Sequence, residues 1–121
     1  MIDDHAELLQ GTLELLQFEG FESYGAADGL LGLQLARRCR PDLILCDVMM
    51  PGIDGFEVLR RLRSDPTTAA MPFIFLTANS DSDVEQRAAK LGAAGLLTKP
   101  FDTDTLLYTI RRHIQRHSAA V

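Results

Sequence analysis

A continuous apolar run at residues 43–46, which ends directly at Asp47, constrains the fold of this chain more than any other feature. A run without polar alternation is typical of a strand buried on both faces, as in a parallel sheet covered by helices. Ligands of such open sheets bind in the crevice outside the carboxyl ends of the strands. Asp47 is therefore predicted to lie where chemistry usually takes place, although an Asp that only begins a turn is the alternative for this residue taken alone.

Helical and extended patterns alternate along the rest of the chain. Apolar spacing predicts helices near residues 4–18, 29–39, 56–63, 84–91 and 106–116, and strands near residues 21–25, 43–47, 73–77 and 96–98. Ser82 and Glu85 predict a capping box at the fourth helix, and Asp102 predicts a cap at the last. Strands that alternate with helices imply right-handed crossovers and a parallel sheet covered on both sides.

The composition of the chain limits the class of protein. With 121 residues, 46% of them hydrophobic and 24% charged, the chain is predicted to form one globular domain over residues 1–121. The formal net charge of -5 argues against direct binding to nucleic acid, which needs clustered Lys and Arg. Cys39 and Cys46 are too few for a disulfide framework, so a reducing, cytoplasmic setting is expected. No apolar stretch approaches the roughly 20 residues of a membrane span, so no membrane partner is expected.

Three carboxylates are predicted to meet at one edge of the sheet. Asp3 and Asp4 directly follow the position of a first strand, and Asp47 ends a neighbouring strand. Two unit charges about 4 Å apart repel by on the order of 4 kcal/mol at an effective dielectric of about 20, which favours a raised pKa or a bound cation. Mg2+ is the natural cation, because it prefers carboxylate, water and phosphate oxygens. The Thr77 hydroxyl and the Lys99 ammonium could steady phosphoryl oxygens, so the set indicates phosphoryl chemistry.

Four motifs in a fixed order give this chain a resemblance to a known family. They are the acidic pair at residues 3–4, the run PDLILCDVMMPGIDG at residues 41–55, LTA at residues 76–78 and TKPF at residues 98–101. Together they resemble the receiver domains of two-component response regulators, with a fold similar to that of the chemotaxis response regulators. The resemblance covers nearly the whole chain and implies a flavodoxin-like α/β fold. This is a doubly wound parallel five-stranded sheet of order 2-1-3-4-5 with five helices.

The resemblance also implies a function in phosphorelay signal transduction. In such a domain, Asp47 accepts a phosphoryl group from a histidine kinase or a phosphotransfer protein, with Mg2+ as the cofactor. The metal ion is held by Asp4, Asp47 and the backbone carbonyl of Met49, while Asp3 acts at or near the metal through water. The domain is then a signalling module rather than an enzyme.

The resemblance further implies how phosphorylation switches the domain. Thr77 and Lys99 match the positions that contact the phosphoryl group, and Lys99–Pro100 matches a peptide bond that is usually cis. Phosphorylation adds about two negative charges at Asp47, which should draw the Thr77 hydroxyl and Lys99 toward it. This movement is predicted to reposition the helix from Val84 and so change a protein-interaction face. The downstream partner is unknown, and a dimer is one candidate form.

Two features depart from the family pattern, and two further positions bear on the lifetime of the phosphorylated form. Only Met1 and Ile2 precede the acidic pair, so the first strand is predicted to be short, with a buried gap and unpaired backbone beside it. The expected explanation is a sequence that begins late in the strand; a strand supplied by another molecule and a weakened acidic site are the alternatives. Leu96 stands where many receivers carry Tyr or Phe, so coupling through an aromatic switch is not assumed. Met49 and Asn79 occupy positions that tune phosphate loss, and the apolar Met49 predicts a long-lived phosphorylated form.

Two alternatives concern the class of function. A haloacid-dehalogenase-type enzyme also uses a strand-end Asp with Mg2+, but its second Asp lies two residues later, where this chain has Met49. A receiver-like module that is not phosphorylated, and acts only as a protein-interaction surface, stays open, although the set of Asp, Thr and Lys argues against it. His113 and His117 are interpreted as solvated residues at a helix end rather than metal ligands, and His5, at the start of the first helix, is expected to be exposed.

Overall fold

The fold consists of five helices and three strands in the part of the chain that the computed structural model describes, residues 1–78 and 81–119, with backbone only from residue 115. In chain order these are α1 (Ala6–Phe18), α2 (Gly29–Cys39), β1 (Ile44–Asp47), α3 (Gly55–Ser64), β2 (Phe73–Thr77), α4 (Ser82–Lys90), β3 (Gly95–Thr98) and α5 (Thr103–Ala119). The predicted helices are present, with ends that differ by a few residues from the predicted ones. Within the described residues, no helix is both long and apolar enough to cross a membrane.

The three strands form one parallel sheet in the order β1-β2-β3. Two single-residue bridges extend it beyond β1, because Ile2 pairs in parallel with Cys46 on one side and with Ala26 on the other. With these two residues counted as strand positions, the order is the predicted 2-1-3-4-5, and the flavodoxin-like fold is confirmed. The predicted strand over residues 21–25 is wrong, because these residues form no strand. Only the short segment at residues 1–3 lies beside this stretch of chain, and the pairing is limited to Ala26.

The backbone of residues 1–3 is hydrogen bonded on both sides. Ile2 N–H donates to the carbonyl of Leu45 at 2.8 Å, and the Ile2 carbonyl accepts from Asp47 N–H at 2.9 Å. On the opposite side, Ala26 exchanges hydrogen bonds with the same segment. A partly open groove of about 430 Å³ lies next to Met1, between the two stretches of chain that flank it. The predicted gap is therefore present, whereas the backbone of the short segment itself is paired.

Helices cover both faces of the sheet and create two apolar cores. One core joins Phe73 and Phe75 to side chains of α2, α3 and α4. The other joins Ile74 and Leu76 to side chains of α1 and α5. Successive residues of β2 thus face opposite cores, and all of its residues are buried. This double burial explains why the strand sequences show continuous apolar runs rather than alternation.

Four of the described helices begin at an aspartate whose side chain accepts a backbone N–H of the first turn. Asp102 caps α5 in this way, as predicted. The capping box predicted from Ser82 and Glu85 is wrong, because Asp81 lies one residue earlier and accepts from Val84 N–H at 2.9 Å. A cap of this kind stabilises a helix by about 1 kcal/mol.

Candidate functional site

Three of the predicted site residues lie close together because their strands end side by side. Asp47 pairs with Leu76 across β1 and β2, and Thr77 pairs with Thr98 across β2 and β3. Lys99 comes next, and its backbone N–H donates to the Thr77 carbonyl at 2.7 Å. Asp47 and Thr77 are each only 4% exposed. The parallel register therefore gathers a carboxylate, a hydroxyl and an ammonium at the carboxyl edge of the sheet.

The Lys99 ammonium lies between two carboxylates. Its Nζ atom is 2.6 Å from Asp3 Oδ2 and 3.3 Å from Asp47 Oδ2. The Asp3 side chain is fully buried and that of Lys99 is only 13% exposed, so solvent screens this ion pair weakly. The proximity of Lys99 to Asp47 agrees with the sequence analysis, whereas its closer contact with Asp3 was not predicted.

Asp4 and His5 complete the acidic pocket on its solvent side. His5 Nδ1 lies 2.9 Å from Asp3 Oδ1, 3.6 Å from Asp4 Oδ1 and 3.8 Å from Asp47 Oδ2. The side chain of His5 is 66% exposed, as expected, and that of Asp4 is 31% exposed. Sequence reasoning missed the contacts of His5 with the three carboxylates. Its position directly after the acidic pair is the signal that could have indicated them.

The pKa values of the two buried carboxyl groups move in opposite directions. Burial pushes the pKa of Asp3 upward, but hydrogen bonds from Lys99 and His5 outweigh it and hold the pKa below its usual 3.8. Burial also raises the pKa of Asp47, and the neighbouring Asp3 and Asp4 charges add to the rise, so the pKa lies above 3.8 despite Lys99. Of these two carboxyl groups, Asp47 is therefore the one whose ionisation the folded protein opposes.

The pocket offers donor atoms that suit a hard divalent cation. Carboxylate oxygens of Asp3, Asp4 and Asp47 and the Nδ1 atom of His5 all lie within 4.8 Å of one another. Mg2+ typically takes one or two carboxylates together with water and phosphate oxygens, so this donor set fits it. Met49 lies two residues after β1 and is 74% exposed, and the role of its carbonyl as a ligand stays a prediction.

We expect Asp47→Asn to raise the free energy of unfolding at pH 7 in the absence of divalent ions. The expected gain is about 1 to 3 kcal/mol, because two charges about 4 Å apart cost about 1 kcal/mol in water and about 4 kcal/mol at an effective dielectric near 20. An acid whose pKa is raised on folding destabilises the fold as the pH rises above its usual 3.8, so the gain should shrink toward that pH.

Urea unfolding at a series of pH values measures this effect. Asp54→Asn is the matched control, because it makes the same change outside the acidic pocket. The Asp54 side chain caps α3 by accepting a hydrogen bond from Glu57 N–H. Asn caps helices about as well as Asp, so the control should change little. A loss of stability in Asp47→Asn would contradict the interpretation that Asp47 is a crowded, unfavourable charge.

The region predicted to act as a switch has two features that bear on the sequence analysis. The Lys99–Pro100 peptide bond is cis, as predicted. Leu96 is half-buried and packs with Val84 against the core that lies between the sheet and α2, α3 and α4. Asn79, which the sequence analysis linked to phosphate lifetime, lies outside the described residues, so the long-lived phosphorylated form stays a prediction.

A doubly wound parallel sheet, with carboxylates and a lysine in a pocket at the carboxyl ends of its strands, defines a class of α/β signalling modules. The chain belongs to the response regulator receiver domain family, whose sequence model matches residues 1–111. Members of this family are signalling modules of two-component systems and bind Mg2+ at an acidic pocket. They interact with histidine kinases or phosphotransfer partners.

Named relatives and a solved structure support this membership. The chain is 36% identical to Protein PilH of Pseudomonas aeruginosa over 110 residues, and this alignment covers 91% of each protein. It is 38% identical over 120 residues to Response regulator PleD of Caulobacter vibrioides, which covers 99% of this chain and 26% of PleD. Chemotaxis protein CheY4 of Vibrio cholerae matches the fold with a TM-score of 0.88 at 36% identity, covering 92% of each chain. The chain spans about half the length, or less, of several curated relatives that it matches.

Proposed function

We propose that this chain accepts a phosphoryl group on Asp47 from a histidine kinase or phosphotransfer protein, in a Mg2+-dependent reaction, and acts as a signalling switch rather than as an enzyme. The observation that carries the proposal is the setting of the Asp47 carboxylate. The Asp47 side chain is 6% exposed, and its carboxylate lies 3.3 Å from the Lys99 ammonium and within 4.8 Å of donor atoms of Asp3 and Asp4. A buried carboxylate with a raised pKa beside a cation and further carboxylates suits an acceptor whose charge is balanced by a metal ion.

The residues of the pocket divide the work of phosphoryl transfer. A carboxylate oxygen of Asp47 forms the bond to phosphorus while the bond from phosphorus to the donor nitrogen breaks. Asp4, Asp47 and the Met49 carbonyl would hold Mg2+, with Asp3 at or near the ion through water, and the ion would supply positive charge against the charge that develops on the phosphoryl oxygens. Lys99, whose Nζ atom lies 3.3 Å from Asp47 Oδ2, supplies a second positive charge. Thr77, which is buried at the end of β2, supplies a hydroxyl that can donate to a phosphoryl oxygen.

Phosphorylation would redistribute the contacts of Lys99 and Thr77. In the unphosphorylated pocket, Lys99 is shared between Asp3 and Asp47. About two added negative charges on Asp47 make it the stronger partner, so Lys99 and the Thr77 hydroxyl shift toward the phosphoryl group. Helix α4 would follow this shift and change a face that a downstream protein recognises. A cytoplasmic location and the absence of direct nucleic-acid contact remain predictions.

The proposal predicts that acetyl phosphate adds one phosphoryl group to the intact chain, and that the addition needs both Mg2+ and Asp47. Intact mass spectrometry with and without Mg2+ measures the addition directly. The Asp47→Asn variant should gain no mass, because its amide is a poor nucleophile. Asp54→Asn makes the same change at the cap of α3 and should be phosphorylated like the wild type.

Two results would contradict the proposal. Phosphorylation of Asp47→Asn to the same extent would assign the acceptor to another residue. A folded wild-type chain that gains no mass in Mg2+ would favour the alternative of a receiver-like module that acts only through protein interaction.

A further inference from the structure

A groove of about 580 Å³ lies between α3 and α4, and its rim carries positive charge. Arg60 lines this groove from α3, and Arg87 and Lys90 line it from α4. We propose that the groove binds an acidic peptide segment of a partner protein, whose carboxylates pair with these three cations. This surface is separate from the acidic pocket, and its binding of a peptide does not depend on phosphorylation of Asp47.

The two cations of α4 can accept a partner's carboxylates at no internal cost. Arg87 and Lys90 are both exposed, and they lie on one face of the helix because they are three residues apart. Neither forms an ion pair with a carboxylate among the residues whose side chains the structure describes. A peptide carboxylate can therefore approach them without breaking an existing ion pair.

The α3 wall of the groove adds a positive charge that is not balanced within the helix. Glu57 accepts a hydrogen bond from Arg60 Nε at 2.9 Å and another from Arg61 Nε at 2.7 Å. Two guanidinium groups thus share one carboxylate, which leaves one positive charge in excess. Because Arg60 is exposed, a carboxylate of the partner can pair with it beside Glu57 or in its place.

The floor of the groove favours a peptide over a nucleotide. Phe56 is only 6% exposed, and the guanidinium of Arg87 lies 3.9 Å from the centroid of its ring. The ring therefore offers no open face on which a base could stack. Ile53 and Leu91 are half-buried in the lining and can contact an apolar side chain. An acidic peptide that contains an apolar residue matches both the rim and the floor.

The charge of the whole chain makes this groove distinctive. The formal net charge is -5, so most of the surface repels an acidic segment, and attraction is confined to places where cations cluster. Contacts between exposed charges are screened by salt. Binding of an acidic peptide should therefore weaken strongly between about 0.15 M and about 1 M salt.

Fluorescence anisotropy with a labelled synthetic peptide of glutamates and leucines tests the proposal on the full chain, without Mg2+ or a phosphoryl donor. Arg87→Gln combined with Lys90→Gln should weaken binding about tenfold, because two exposed charge contacts are lost together. Arg38→Gln combined with Arg112→Gln is the matched control. It removes the same charge from exposed positions on α2 and α5, outside the groove, and should change the affinity by less than about twofold.

Glu57→Gln provides a test in the opposite direction. This variant removes the carboxylate that Arg60 and Arg61 share, so both guanidinium groups can pair with the peptide. Binding should become about threefold tighter, a change on the scale of one exposed ion pair. A variant that only disturbed the fold would weaken binding instead, and circular dichroism of each variant checks that the fold is kept.

Several outcomes would overturn the proposal. These are no saturable binding by the wild type, equal affinity in the wild type and the variant with both α4 cations replaced, and equal losses in that variant and its control. Unchanged affinity in Glu57→Gln would show that the α3 wall takes no part. Displacement of the peptide by inorganic phosphate or ATP at the same concentration of charge would indicate a general anion site. Since the assay contains no phosphoryl donor, none of these results bears on phosphorylation of Asp47.

Discussion

Lys99→Met is expected to lower the free energy of unfolding by about 3 to 5 kcal/mol at pH 7 without divalent ions, the scale of breaking a buried ion pair from one side. The Asp3 side chain is fully buried, and Lys99 Nζ, at 2.6 Å, is its nearest cation. Methionine has a similar length but no charge, so the variant leaves Asp3 ionised without that partner. Asp47 also loses its contact with the ammonium at 3.3 Å. Urea unfolding monitored by circular dichroism measures the loss.

The loss should depend on pH in a defined direction. The pKa of Asp3 in the folded protein is held below its usual 3.8, so Asp3 contributes stability above that pH and loses it as the pH falls through the folded value. In Lys99→Met this contribution is absent. The stabilities of the wild type and the variant should therefore differ most at neutral pH and converge below about pH 4.

Lys90→Met is the matched control for this prediction. Lys90 is exposed in the last turn of α4, so its replacement should change stability by no more than about 0.5 kcal/mol. Equal, small losses in both variants would show that Asp3 tolerates burial without Lys99. A loss in Lys99→Met that stays constant as the pH falls would show that packing, not charge, is responsible.

Gly55→Ala is the second substitution expected to have a large effect. A Cβ atom at Gly55 would overlap the backbone carbonyl oxygen of Asp47 and lie 3.1 Å from Val48 Cα. Gly55 N–H also donates to the Val48 carbonyl at 2.8 Å, so the start of α3 cannot move away without losing that bond. Because a backbone atom cannot rotate aside as a side chain can, we expect a loss of about 3 kcal/mol, near the upper end for overpacking.

Gly11→Ala provides the control for the effect of a methyl group by itself. Gly11 lies on the exposed side of α1, with no atom within 4 Å of an added Cβ. Alanine favours the helix over glycine, so this variant should gain about 0.5 to 1 kcal/mol. Denaturant unfolding of both variants gives the comparison. If Gly55→Ala is as stable as the wild type, the close approach of α3 to the end of β1 is not a tight constraint.

The sequence was sufficient to place the strand-end residues. The apolar run before Asp47 predicted a strand buried on both faces, and β1 has that burial. Continuous burial has a strong sequence signal, because each position must be apolar whichever face it occupies. The convergence of Asp47 with Asp3, Asp4 and Lys99 followed from the rule that parallel strands present their carboxyl ends at one edge.

Other contacts could not be predicted because they depend on short-range geometry. The strand expected at residues 21–25 failed because a strand needs a partner of matching length, which pattern alone does not reveal. The position of the His5 ring depends on the turn before α1. A histidine in the sequence does not indicate by itself which carboxylates its ring will contact. Lys99 Nζ lies closer to Asp3, at 2.6 Å, than to Asp47, at 3.3 Å. A difference of this size depends on how both faces of the sheet pack, which the sequence pattern does not specify.

The pocket is assembled from two parts of the sheet that are held with unequal strength. Asp47 and Thr77 end strands that pair along their lengths, whereas Asp3 and Asp4 follow a segment joined by single-residue bridges. Segments with few backbone hydrogen bonds open locally at a lower free energy than the centre of a sheet. Local opening of residues 1–3, which lie between Ala26 and β1 in the sheet, would therefore separate Asp3 and Asp4 from Asp47 and Thr77 without global unfolding. A cation bound by Asp4 and Asp47 together favours the closed form, so metal occupancy and closure of this segment rise together.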